Sequence, residues 1–275
     1  MTRYPASRSM AGLSVRPGDE RRITRTLPEE VPVAMVYDGT TQAVMMATPA
    51  DIADFATGFS LTEGIVTDLA QIADFEQVAH DDGIEARIWL RGGRGAALAA
   101  RRRQMAGPVG CGLCGIDSLE QAVRPLPHVG RGGPTPAASD LAQAVEALRD
   151  SHQPLHDQTN AVHAAGFYRP GAGIVAARED VGRHNALDKV IGALAREGHD
   201  PAQGAFVLTS RVSVEMVQKC AMARCSLLVA VSAPTAHALR LAEAAGITVA
   251  AFVRGGGIEV YSHENRIKRG THDVA

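Results

Sequence analysis

Two cysteines carry the chain's most reactive chemistry. Cys111 and Cys114 lie in the segment Gly107-Pro-Val-Gly-Cys-Gly-Leu-Cys-Gly115, where bulky neighbours are almost absent. Sulfur with little to pack against is placed for reaction rather than for a core. Four uses fit a Cys-x-x-Cys pair. It is half of a structural zinc site, but the only other cysteines, Cys220 and Cys225, fall in a helix-like run and read as small buried filler. It is also half of a zinc deaminase signature, whose other half needs His-x-Glu; His163-Ala-Ala165 supplies no glutamate and follows the cysteines instead of preceding them. A thioredoxin-like dithiol opens a helix, where the dipole lowers the thiol pKa, and the glycines at 110, 112 and 115 fit that poorly. A sulfur carrier needs a nucleophilic thiol on a movable arm, with a second thiol able to exchange. On chemistry alone the carrier and the redox pair rank level.

The second set of polar residues lies further along. Arg178-Glu-Asp-Val-Gly-Arg-His-Asn185, Thr209-Ser-Arg-Val-Ser213, Ser232-Ala-Pro-Thr235 and Arg254-Gly-Gly-Gly257 each follow a strand-like run. Three of them lead into helices. Helix N-termini and glycine-rich backbone present unpaired N–H groups to phosphate, and arginine adds planar recognition of the same group. Any one of these is most simply an ordinary loop, but four converging at one sheet edge predict a phosphorylated ligand. None is a P-loop or GxGxxG fingerprint, so a simple ATP or NAD site is not expected. Asp180 and His184 have the types of a catalytic pair. The plainer reading, a capping Asp180 and a first-turn or ligand-contacting His184, is preferred. His163 reads as a core histidine, and Met216, Val217, Ala221 and Met222 as core.

The elements that must position these groups follow from periodicity. Strand-like runs cover Ala161 to Tyr168, Ile174 to Ala177, Phe206 to Leu208, Leu227 to Val231 and Ile247 to Val253. Helix-like runs cover His184 to Arg196, Ser213 to Arg224 and Thr235 to Ala245, the last stopped by Gly246. This alternation predicts a mostly parallel sheet covered on both faces, with ligands bound beyond the carboxyl ends of its strands. Upstream, Val31 to Val36 and Ala43 to Ala47 flank Asp38-Gly39 as a hairpin. Thr48 is expected to cap a helix with Pro49 in its first position and Gly64 at its stop. Glu85 to Leu90 reads as a strand carrying Trp89, Ala96 to Met105 as a helix, and Ser139 to Ser151 as an amphipathic helix. Residues 1–28 are expected as a loose leader, 29–138 as an N-terminal subdomain holding the cysteine loop, and 139–275 as a C-terminal α/β unit joined through the Pro- and Gly-rich stretch 124–138.

Composition bounds the partners. The 275 residues are 45% hydrophobic and 21% charged, with a formal net charge of -2, so no global basic field points to nucleic acid or to an anionic membrane. The cluster Arg101-Arg102-Arg103, with Arg91 and Arg94, reads as a solvated helix face. No apolar run is long enough to cross a bilayer. The polar first 20 residues carry no export signal, which predicts a cytoplasmic protein.

Read together, these residues resemble the FdhD family, the formate dehydrogenase accessory sulfurtransferases. The likeness runs from about Val31 to Ile267. It rests on Thr48-Pro-Ala-Asp-Ile-Ala-Asp-Phe-Ala-Thr-Gly-Phe-Ser-Leu-Thr-Glu-Gly64, Cys111-Gly-Leu-Cys-Gly115, Arg178-Glu-Asp-Val-Gly-Arg-His-Asn-Ala-Leu-Asp-Lys189, Leu208-Thr-Ser-Arg-Val-Ser213, Ser232-Ala-Pro-Thr235 and Phe252-Val-Arg-Gly-Gly-Gly257. The resemblance implies a sulfurtransferase. Sulfur arrives from a cysteine desulfurase as a persulfide on Cys111, assisted by Cys114, and passes to the molybdenum (or tungsten) bis-pterin guanine dinucleotide cofactor destined for the catalytic subunit of formate dehydrogenase. Phe252, Val253, Arg254, Gly255, Gly256 and Gly257 would contact that cofactor, with Arg183, His184, Ser210, Arg211, Ser232 and Thr235 as further contacts. The resemblance also implies a homodimer, no structural metal, and a cytidine deaminase-like three-layer α/β core with a mixed, mostly parallel sheet beside a smaller β-rich N-terminal subdomain. A chaperone that binds the cofactor without reacting is the alternative. The family's glycines before the histidine are replaced here by Asn160-Ala-Val, and Gly257 stands where a side chain is common. His163 is assigned no role.

Overall fold

The computed structural model describes residues 4–92, 126–130 and 132–268. Strands β1 (Ser7–Arg16) and β2 (Asp19–Pro28) pair antiparallel over ten residues each. The expected loose leader is therefore a paired ribbon from Ser7 onward. Its alternation is too weakly apolar to read as strand, because the ribbon buries little of itself and is held by cross-strand pairing. It is anchored at its base: the Tyr4 hydroxyl reaches the carbonyls of His80 and Asp81, at 2.6 and 2.8 Å, and the Ser7 hydroxyl reaches Gln158.

A four-stranded sheet follows, in the order β4-β3-β6-β5, from β3 (Val31–Tyr37), β4 (Thr40–Ala47), β5 (Ile72–Ala79) and β6 (Ile84–Leu90). The hairpin at Asp38-Gly39 and the Trp89 strand are as expected. Val31, Val33, Met35 and Tyr37 alternate onto one face, where helix α1 (Ile52–Thr62) adds Ile52, Phe55, Ala56 and Phe59. This helix starts later than the sequence predicts. Thr48 does not cap it, and Asp51 occupies the cap position without a side-chain hydrogen bond. Thr48 is fully buried and its polar groups are engaged elsewhere.

The second sheet has six strands in the order β12-β11-β10-β9-β7-β8. They are β7 (His163–Arg169), β8 (Gly173–Asp180), β9 (Ala205–Leu208), β10 (Leu227–Ala230), β11 (Thr248–Arg254) and β12 (Gly257–Val260). Strands β8 to β11 run in one direction, whereas β7 and β12 run against them. Only the β9–β10 and β10–β11 neighbours are parallel, so the sheet is mixed rather than mostly parallel by pairing. Helix α2 (Ala138–Ser151) covers one face with Leu141, Val145 and Leu148 against Val207 and Val229. Helices α4 (Arg183–Glu197), α5 (Val214–Met222) and α6 (Ala236–Ala245) cover the other, against Phe206, Leu208 and Leu228. The short helix α3 (Pro154–Thr159) precedes β7. Cys220 and Cys225 are buried in this second core, as expected.

The two sheets meet through α1 and α4. A Cβ on Gly58 would fall 1.8 Å from the Asp188 carbonyl oxygen, and one on Gly192 would fall 1.9 Å from that of Asp54. Only glycine permits so close an approach. Around this contact lie four ion pairs. Asp180 and Lys189 are 2.7 Å apart and fully buried; Asp188 and Lys219 are 2.8 Å apart; Asp54 binds Arg178 at 2.8 Å and also pairs with Arg196. Among the described residues, no helix is long and apolar enough to cross a membrane.

Candidate functional site

The conserved direction of β8, β9, β10 and β11 brings their carboxyl ends to one edge of the sheet. The four polar segments singled out in the sequence therefore do converge. Val212 and Pro234 bridge two of them, with backbone hydrogen bonds from Val212 to Ala233 and from Thr235 to Val212. Because β7 is antiparallel, its first residue, His163, also lies at this edge, paired in register with Asp180. Thr209 ties the start of β7 to the end of β9, its hydroxyl accepting from the Ala164 N–H at 2.9 Å and donating to the Ala164 carbonyl.

Within Arg178 to Lys189 most polar side chains are structural. Arg178 holds Asp54. Glu179 accepts from the N–H groups of Leu155 and His156, at 2.8 and 2.7 Å, at the start of α3. Asp180 accepts from the Thr48 and Gly182 N–H groups and from the Asn185 amide, and it faces Lys189. Asn185 also donates to the Met46 carbonyl, and Lys189 to the Thr48 carbonyl. Asp188 accepts from Thr62 and Lys219. These contacts lock the N-terminal unit onto the C-terminal one. Asp180 is therefore neither the cap of α4, whose N-cap is Gly182, nor half of a catalytic pair with His184.

Arg183 and His184 are what this segment leaves for the edge. Arg183 makes no hydrogen bond or ion pair with any described residue, and its Nε is shielded from water. His184 Nε2 is 3.7 Å from Glu215 Oε2, an ion-pair distance rather than a hydrogen bond. The His184 imidazole is the largest influence holding the Glu215 carboxyl down at about 2. His163 is half-buried, and desolvation, then the positive fields of Arg183 and His184, lowers its pKa.

The other expected contacts divide. Ser210 is buried and its hydroxyl donates to the Arg211 carbonyl, while Arg211 is exposed. Ser232 is half-buried. Thr235 caps α6, its oxygen accepting from the Ala238 N–H at 3.2 Å. At the end of β11 a bulge lies between Ala251 and Arg254, and Phe252 takes a φ of 51°, a backbone conformation that a bulky residue rarely adopts. Its ring is exposed and sits 6.3 Å from that of Tyr261. Arg254, Gly255, Gly256 and Gly257 form an exposed turn, with positive φ at Gly255 and Gly256. Val253 instead points into the core beneath α2, so its side chain is unavailable to a ligand.

Cys111 and Cys114, the helix expected over Ala96 to Met105, and Arg94 and Arg101 to Arg103 lie outside the described residues. Among the described residues, no group of three or more histidine, cysteine and carboxylate side chains is arranged to hold a metal ion. Sequence reasoning missed Glu215 and left His163 without a role. His163 reaches the edge through the antiparallel pairing of β7, and Glu215 meets His184 from the first turn of α5.

Fold and site together define a mixed α/β protein, in which a two-stranded ribbon and a four-stranded sheet accompany a six-stranded sheet with polar loops gathered at one edge. The sequence profile of the FdhD/NarQ family matches residues 28–268, and the chain belongs to that family. It is 50% identical over 260 residues to the sulfur carrier protein FdhD of Agrobacterium fabrum, covering 94% of this chain and 96% of the relative. It is 52% identical over 267 residues to the sulfur carrier protein FdhD of Brucella abortus, covering 97% and 99%. Its fold is similar to the crystal structure of a protein from Desulfotalea psychrophila described as a formate dehydrogenase accessory protein. There the TM-score is 0.74 at 24% identity, covering 96% of this chain and all of that one.

Proposed function

We propose that this protein is a sulfurtransferase of the persulfide-carrier type, serving formate dehydrogenase. Cys111 attacks the outer sulfur of a persulfide on a cysteine desulfurase; the donor S–S bond breaks, the desulfurase thiolate leaves, and Cys111 carries the new persulfide. The acceptor is the molybdenum (or tungsten) bis-pterin guanine dinucleotide, which is the substrate rather than a resident cofactor. Attack of the Cys114 thiolate on the inner sulfur of Cys111 expels the outer sulfur as hydrosulfide and leaves a Cys111–Cys114 disulfide. Relatives at about half identity over nearly their whole length are named sulfur carriers, and this carries the reading. The strand-edge loops support a nucleotide-bearing acceptor, with Arg254 and the backbone of Gly255 to Gly257 meeting its phosphates, and Phe252 offering a face for base or pterin.

The proposal includes a cytoplasmic homodimer that meets both the desulfurase and the catalytic subunit of formate dehydrogenase. It also includes a likeness of the C-terminal unit to the cytidine deaminases, which its three layers around a mixed sheet support. The test is intact mass after incubation with a cysteine desulfurase and cysteine. Wild type should gain sulfur and Cys111→Ala should not. Formate dehydrogenase activity fully retained by a Cys111→Ala/Cys114→Ala chain would favour a chaperone that only escorts the cofactor.

A further inference from the structure

No residue of the β1–β2 ribbon joins a hydrophobic core. Beyond its own pairing it meets the body chiefly through β2, which packs on α3. Every position from Val15 to Arg22 is exposed. A two-stranded ribbon alone in water is marginally stable, yet this one runs ten residues per strand, a reach of roughly 34 Å. We propose that the ribbon is a docking arm that seats in an acidic groove of the protein receiving the cofactor. This rests on the proposed function, which puts the acceptor at the strand edge, and adds the surface that holds the recipient.

The ribbon's chemistry sets that of the partner. Between Ser7 and Pro28 lie five arginines, one aspartate and one glutamate, a net charge of +3 in a chain whose total is -2. Arg8 pairs with Glu29, but Arg16, Arg21, Arg22 and Arg25 have no ion-pair or hydrogen-bond partner among the described residues. Interleaved with them are Met10, Leu13, Val15 and Leu27, with Val15 at 69% exposure. These are four of the nine large hydrophobic side chains exposed among the described residues, so the exposure is concentrated here. Apolar side chains gathered among polar ones at a surface mark an interaction site. Unpaired arginines beside them call for carboxylates on the other side.

The faces of the ribbon decide between partners. Directly opposed residues share a face, so Leu13 and Val15 stand with Arg22 on one side, and Met10 and Leu27 with Arg8 and Arg25 on the other. A bilayer surface or a nucleic-acid backbone meets one face at a time, whereas a protein groove meets both. A second copy is a poor fit, because it sets one +3 ribbon against another.

The position of the arm points to the recipient. The ribbon's base rests on α3, where Ser7 also reaches Gln158. Helix α3 in turn gives the Leu155 and His156 N–H groups to Glu179, next to the last residue of β8, and leads into His163 at the start of β7. The arm therefore springs from beside the strand edge that the acceptor would occupy. It also lies ahead of residue 28, where the match to the family profile begins.

The catalytic subunit of formate dehydrogenase, without its cofactor, is the probe, and its binding to the full chain is followed by biolayer interferometry. Arg21→Ser/Arg22→Ser should slow association about tenfold and flatten its dependence on salt. Leu13→Ser/Val15→Ser should speed dissociation about tenfold, a change of about 1.4 kcal/mol. All four side chains are exposed, and circular dichroism checks that each variant folds. Sulfur loading of Cys111 by a cysteine desulfurase should be unchanged in both. Wild-type binding by both variants, no binding by wild type, or loss of desulfurase loading in their place would overturn the proposal. So would phosphatidylserine vesicles or RNA that bind wild type and release the variants while the catalytic subunit still binds them. The two readings fail separately. A chain that docks the catalytic subunit through the ribbon but takes no sulfur on Cys111 refutes the sulfur carrier and leaves the arm standing. A chain that loads Cys111 and docks equally well with either ribbon variant does the reverse.

Discussion

Replacing Asp180 with asparagine changes one atom type and almost no volume, and it should cost the fold heavily. All four neighbours of this carboxylate are donors. Oδ2 meets Lys189 Nζ at 2.7 Å and the Thr48 N–H at 3.0 Å; Oδ1 meets the Gly182 N–H at 2.7 Å and the Asn185 amide at 2.9 Å. Asparagine keeps one acceptor oxygen and turns an NH2 group toward two of those donors. Lys189 is left fully buried, with the Thr48 carbonyl at 3.0 Å and the Glu179 carbonyl at 3.5 Å as its remaining acceptors. Breaking a buried ion pair by removing one partner costs about 3–5 kcal/mol. That is a large share of a typical total of about 5–15 kcal/mol. In a chain of this size each kcal/mol moves the melting temperature by about 2–4 °C, so Asp180→Asn should melt roughly 6–20 °C lower. Differential scanning calorimetry reads this directly. The double variant Asp180→Asn/Lys189→Met, which removes the stranded charge as well, should recover part of the loss. A single-variant shift of under about 2 °C, the range of an inconsequential surface change, would refute the structural role given to this pair.

Two further outcomes follow. Glu215 is held at about 2 chiefly by His184, against an ordinary 4.5. Its depressed pKa contributes stability that is present above pH 4.5 and lost as pH falls toward 2. His184→Gln should raise the Glu215 titration, read by carbon-13 NMR of the carboxyl, and flatten acid destabilisation in that window; an unchanged titration would remove His184 as the cause. Burial pushes the Cys225 thiol up to about 11 and raises the Cys220 thiol well above its ordinary value, so neither presents a thiolate at neutral pH. Brief treatment of the native protein with iodoacetamide should therefore label Cys111 and Cys114 and spare the buried pair, as peptide mass mapping would show.

Much of the C-terminal unit was legible in the sequence because its helices and strands carry strong periodicity. Leu141, Val145 and Leu148 announce α2, and Gly246 marks the end of α6. The direction of β7 was not legible. Alternation shows that a strand exists, and the pattern of pairing depends on distant segments. A β7 parallel to its neighbours would put His163 at the opposite edge; its antiparallel pairing delivers His163 to the site. The dense polar segment from Arg178 to Lys189 misled in a related way. Its Asp180, Asn185, Asp188 and Lys189 look like chemistry, yet their partners, Thr48, Met46 and Thr62, stand more than 120 residues away and turn them into a structural lock. Subtracting that lock is what isolates Arg183 and His184. Likewise Thr48 has the type and spacing of a helix cap, but a buried ion pair claims it first. The ribbon β1–β2 lacked an apolar signature because little of it is buried.

The central claim is that Cys111 carries sulfur. Intact mass spectrometry after incubation with a cysteine desulfurase and cysteine tests it most directly. The account predicts one added sulfur on the wild-type chain, mapped to the peptide containing Cys111, released by dithiothreitol and missing from Cys111→Ala. Undiminished loading of Cys111→Ala, or no loading of wild type, would contradict it.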